Sequence, residues 1–102
     1  MWTLVLFDLP TTTLVLQRAY EHFRKDLLRI GFEMFQKSVY LRWEESEDAA
    51  ASLRGRVLSL APKDGHVTVL PLTRRTWQTV RVKIDGTVRP PRQEPENFLI
   101  LD

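Results

Sequence analysis

The chain has 102 residues, the size of one domain, with 43% hydrophobic and 27% charged residues, as in an ordinary water-soluble globular protein. It lacks cysteine, which excludes disulfides and thiolate metal centres, and its formal net charge of +2 is only mildly basic. The first residues carry neither a basic leader nor a small-residue cleavage site, and no apolar run could span a bilayer, so a cytoplasmic protein with no membrane partner is expected.

Trp2 to Asp8 reads as a strand, with Leu4, Leu6 and Asp8 on one face and Val5 and Phe7 on the other. Both faces are largely apolar, which suits a central strand covered on one side and packed against a partner on the other. Pro10 ends it. Thr11, Thr12 and Thr13 offer N-cap hydroxyls to a helix from Leu14 to about Ile30, whose stripe is Leu16, Ala19, Tyr20, Phe23, Leu27 and Ile30. Gly31 suits the position after its end. Phe32 to Trp43 is aromatic and β-branched, hence extended, but long for a single strand. Two strands, near Phe32 to Gln36 and Val39 to Trp43, are the favoured reading. One bent strand is the alternative, because neither Lys37 nor Ser38 favours the positive φ of a tight hairpin.

Ser46 predicts an N-cap, with Glu47 and Asp48 complementing the helix dipole. Ala49, Ala50, Leu53, Val57, Leu60 and Ala61 form the apolar face of this second helix. The turn Pro62-Lys63-Asp64-Gly65 leads into a strand from His66 to Leu72, where Pro71 marks an end or an edge. Thr73 to Thr76 reads as a connection. Trp77 to Ile84 alternates like a half-exposed strand, closed by Asp85-Gly86. Thr87 to Glu96 holds three prolines without periodicity and predicts a semi-extended linker. Phe98, Leu99, Ile100 and Leu101 follow as an apolar tail that needs a sheet edge or a partner to cover it.

This order is an α+β plan: a four-stranded antiparallel sheet with both helices on one face. The opposite face is expected to be bare, so two copies stacking those faces would cover each other.

The chain resembles the CRISPR-associated protein 2 family. The resemblance rests on Leu4 to Thr13 at the start, Phe23-Arg24-Lys25 and Leu27-Leu28 on the first helix, Gly31-Phe32, Gln36 to Tyr40, and the Asp64-Gly65 turn with its strand. It implies a prokaryotic ferredoxin-like βαββαβ domain over residues 1–86, with 87–102 as linker and additional C-terminal docking strand. It also implies a homodimer that binds double-stranded DNA and bridges integrase subunits (CRISPR-associated protein 1) as new spacers enter the array. Some members are described as magnesium-dependent endonucleases acting on single-stranded RNA or double-stranded DNA, the residue named being the aspartate that closes the first strand, here Asp8.

Asp8 is accordingly the candidate catalytic and Mg²⁺-binding residue, a twofold axis supplying a second copy, while a turn-capping role is its structural alternative. Arg18, His22, Lys25 and Arg29 would form a basic ridge along the first helix, able to track phosphates or simply to face solvent. Arg74 and Arg75, with Arg81 and Lys83 on one strand face, form a second candidate nucleic-acid cluster. His22 and His66 lack a partner at metal-ligand spacing. Ser38 has no assignable base. Tyr40, Trp43 and Trp77 point to packing or dimer contact. Phe98 to Leu101 is the candidate partner-docking strand.

Three functions compete: a DNA-binding dimer that positions an integrase, which is favoured; a Mg²⁺-dependent endonuclease using Asp8 from both protomers; and an unrelated ferredoxin-like RNA-binding module. The last would carry exposed aromatics on its central strands, where this chain is aliphatic.

Overall fold

The computed structural model describes residues 1–95, so the expected docking strand Phe98–Leu101 lies outside the described residues. In chain order the elements are β1 (Trp2–Asp8), α1 (Leu14–Arg29), β2 (Glu33–Gln36), β3 (Val39–Trp43), α2 (Glu47–Leu60), β4 (His66–Leu72), α3 (Arg74–Gln78), β5 (Val82–Ile84) and β6 (Thr87–Arg89). The first four strands form one antiparallel sheet in the order β2-β3-β1-β4, and the fold is the ferredoxin-like βαββαβ arrangement with additions at its C-terminal side.

Local chemistry starts both long helices where expected. The Thr13 hydroxyl accepts from Leu16 N–H at 3.2 Å, and Ser46 accepts from Ala49 N–H at 3.1 Å. At the end of α1, Gly31 N–H donates to Leu28 O and Phe32 N–H to Leu27 O, which closes the helix and turns the chain into β2. Alternation then sorts β1. Val5 and Phe7 join Phe23, Leu27 and Ile30 of the α1 region and Leu53 and Val57 of α2 in the main core. Trp2 and Leu4 face the other way, onto Leu41 and Trp77. β4 pairs only with β1 and sits at the sheet edge, where Pro71 lies opposite Thr3.

The choice over Phe32 to Trp43 resolves as a hairpin. Ser38 adopts φ +62°, and its carbonyl accepts from Phe7 N–H at 3.1 Å, so a bond from β1 supports a turn its own sequence disfavours. Trp77 to Ile84 is not a continuous strand. The Thr73 hydroxyl accepts from Thr76 N–H at 3.1 Å and caps α3, which lowers Trp77 onto the sheet until it is 2% exposed. The face opposite α1 and α2 is therefore covered at one end instead of bare. Thr87 to Glu96 is not wholly a linker either: Asp85 and Gly86, both at positive φ, make the turn of a β5–β6 hairpin across the expected boundary at residue 86.

Candidate nucleic-acid and metal site

Asp8 ends β1 with its side chain exposed on the face turned away from α1 and α2. In the β1–β4 ladder it stands opposite His66, also exposed. Phe7 N–H points to Ser38 on the β3 side, so the even-numbered residues of β1 direct their bonds to β4, which makes Asp8 and His66 a hydrogen-bonded pair. Such a pair sets its Cβ atoms about 5.5 Å apart on one face. Two shallow depressions meet at Asp8. One, about 280 Å³, is lined by Leu6, Val39, His66 and Thr68; the other, about 320 Å³, by Thr11, Tyr20, Lys37 and Ser38.

The backbone around this point is tightly determined. Gly65 has φ +83°, and a Cβ there would lie 2.7 Å from the Asp8 carbonyl oxygen and 2.9 Å from Leu9 and Pro10. Only glycine lets the turn after α2 come so close to the end of β1, and that approach delivers His66 opposite Asp8. On the other side, Tyr20 Oη and Ser38 Oγ are hydrogen-bonded at 3.3 Å.

The Mg²⁺ expectation meets a sparse donor set. Side-chain oxygens lining the two depressions are the Asp8 carboxylate and the hydroxyls of Thr11, Tyr20, Ser38 and Thr68. Among the described residues no three Asp, Glu, His or Cys side chains come together. On one chain, Asp8 would hold a magnesium ion with water and a substrate phosphate completing its shell.

Of the expected ridge on α1, Arg18, His22, Lys25 and Arg29 are all exposed, but a carboxylate interrupts it. Asp26, 3% exposed, accepts from Arg29, and His22 Nε2 stands 4.0 Å from the same Asp26 oxygen. Arg18 and Lys25 make no ion pair among the described residues. The second cluster is dispersed. Arg74 binds Glu94 at 2.7 Å, with its guanidinium 5.2 Å from the Trp43 ring centroid. Arg81 does not lie on a strand with Lys83; it donates to the carbonyls of Gln78 and Val80, both at 2.8 Å, just after α3. Arg75 and Lys83 remain exposed.

A larger hollow, about 640 Å³, lies at the Trp2 end of the sheet, away from Asp8. Its guanidinium groups are each already engaged by a carboxylate: Arg29 by Asp26, Arg42 by Glu44 and Arg92 by Glu33. That leaves it poorly suited to phosphate. Sequence reasoning missed His66 as a neighbour of Asp8 and missed Lys37 beside it, because both arrive through strand pairing.

Residues 1–80 match the family described as CRISPR associated protein Cas2. Curated relatives named CRISPR-associated endoribonuclease Cas2 align along nearly the whole chain. The Parvibaculum lavamentivorans protein is 38% identical over 99% of this chain and 100% of its own length. The Paracidovorax avenae protein is 35% identical over 96% and 91%, and the Ligilactobacillus salivarius protein 32% identical over 99% and 100%.

Proposed function

The chain belongs to the CRISPR-associated protein Cas2 family, and from that premise we propose that it acts as a homodimer. The dimer binds double-stranded DNA and bridges integrase subunits while new spacers are inserted. The observation that carries this reading is the unequal sheet face. Trp77 covers the Trp2 end, whereas towards the Asp8 end Leu6 and Val39 are only half-buried, and Leu70, opposite Leu4 in mid-strand, is 41% exposed. A second copy laid on that end would bury those side chains and bring two Asp8 residues near a shared axis. Exposed Arg18, Lys25, Arg75 and Lys83 on each copy would then meet phosphates without reading bases. A lone carboxylate per chain, with no three-ligand cluster among the described residues, favours holding DNA over cutting it.

The test is reconstitution. The purified chain is mixed with its candidate integrase and a short duplex, as wild type and as Asp8→Asn. Integration by both proteins, with a dimer in sedimentation, is the expected result. A folded monomer at micromolar concentration would overturn the reading, as would loss of integration in the variant alone.

A second reading has its own observation. The relatives are named endoribonucleases, and Asp8 is exposed beside an imidazole. A metal-dependent phosphodiesterase acting on single-stranded RNA or on DNA would use Asp8 from both protomers. It predicts that Asp8→Asn and a chelator each abolish cleavage.

A further inference from the structure

The turn between β2 and β3 brings Lys37 and Ser38 to the same depression of about 320 Å³ that Tyr20 of α1 lines from the other side. We propose that these side chains hold one phosphodiester group of a DNA backbone, Lys37 supplying the positive charge and the Tyr20–Ser38 hydroxyl pair an O–H donor. The inference rests on the DNA-holding reading and deepens it, because it assigns a phosphate contact outside both basic clusters of the sequence.

Hydrogen-bond accounting supports the donor. Each hydroxyl carries one hydrogen. Tyr20 Oη and Ser38 Oγ share a single bond of 3.3 Å, and neither has another partner among the described residues. One hydrogen is spent within the pair, and the other is left without an acceptor. Both side chains are half-buried, so an oxygen entering the depression is the acceptor they lack. The pair is also held in place. Ser38 adopts φ +62°, and its carbonyl accepts from Phe7 N–H at 3.1 Å, which ties the turn to β1.

Charge supports the rest. Among the described residues Lys37 is the one cation lining this depression; it is exposed and makes no ion pair. In the larger hollow, by contrast, each guanidinium is already held by a carboxylate. Asp8 shares the depression, and its charge would repel a passing phosphate. Lys37 on the same rim offsets that repulsion, and an ammonium binds phosphate as a point charge without demanding one orientation.

The experiment titrates the full chain into a short fluorescent DNA duplex, with a chelator present and over a range of salt. A single-stranded RNA of the same length is the second arm, and circular dichroism verifies that each variant keeps its fold. Lys37→Ala should weaken duplex binding about fivefold near 0.1 M salt, and should lower the slope of log affinity against log salt by about 0.9 for each Lys37 engaged. Lys37→Arg keeps the charge and should stay within about twofold of wild type. Tyr20→Phe combined with Ser38→Gly, glycine being chosen because it accepts positive φ, removes both hydroxyls. That variant should bind about threefold more weakly with its slope unchanged, since a lost neutral donor releases no counterion. An unchanged slope in Lys37→Ala would overturn the proposal and leave the DNA-holding reading standing. So would equal losses in Lys37→Ala and Lys37→Arg, or full affinity without both hydroxyls. A loss confined to the RNA arm would overturn the assignment to DNA, and a wild-type chain that binds no duplex would overturn the proposal and the reading together.

Discussion

β1 runs between two unlike ends of the same sheet face. At its start, Trp2 stacks among Trp77 and Trp43, with ring centroids 5.1 and 5.4 Å away, and Phe35 reaches Trp77 at 5.7 Å. Trp77 Nε1 donates to the Arg92 carbonyl at 2.6 Å, and Arg92 reaches Glu33 at 2.6 Å, so the segment after β6 is fastened over this end. At the other end the same alternation presents Leu6, half-buried at the margin of the tryptophan cluster, and then the exposed Asp8. The difference shows how a small domain divides its labour. One end of a face can be sealed by the chain itself, while the other stays available to a second molecule.

Trp77→Ala would break the contrast most severely. Removing a buried indole is expected to cost about 3–5 kcal/mol, read by chemical denaturation, and to leave both ends uncovered. Gly65→Ala attacks the open end. Left-handed strain and a clash with the Asp8 carbonyl should together cost about 2–4 kcal/mol, with the imidazole displaced from its carboxylate neighbour. Tyr20→Phe loses one partly buried hydrogen bond to Ser38 and should cost about 1 kcal/mol in the same denaturation assay. The smallest effect belongs to Asp8→Asn. Its side chain is exposed and makes no ion pair among the described residues, so stability should change by less than about 0.5 kcal/mol. A large loss there would mean that the open end is structural after all.

Much of this architecture is legible in the residues because its determinants are local. Thr13 and Ser46 announce their helices by side-chain capping, and the stripes of both helices turn towards the core they predict, except that Ala49 is exposed. What escapes is set by distant partners or by very short elements. Ser38 turns a hairpin at positive φ because Phe7 donates to its carbonyl, a bond no window around Ser38 contains. Trp77 to Ile84 alternates like a strand, and the five-residue helix that overrides this pattern is too brief to show periodicity. Asp85-Gly86 is a strong hairpin signal, masked by the prolines that follow.

The site divides along the same line. Asp8 is conspicuous as the polar end of an apolar strand. His66 becomes its neighbour only through the register of β1 with β4, and Asp26 lies buried within what the sequence presents as an uninterrupted basic ridge.

Pro71 carries a last consequence. Opposite Thr3 in the ladder it cannot donate to β1, so its nitrogen, like those of Val67 and Val69, points away from the sheet. A visiting backbone laid along β4 would therefore find two N–H groups to zip onto and then a silent rung. Growth of the sheet from that margin stops short, which guards the domain against open-ended polymerisation while still permitting one brief, terminated graft.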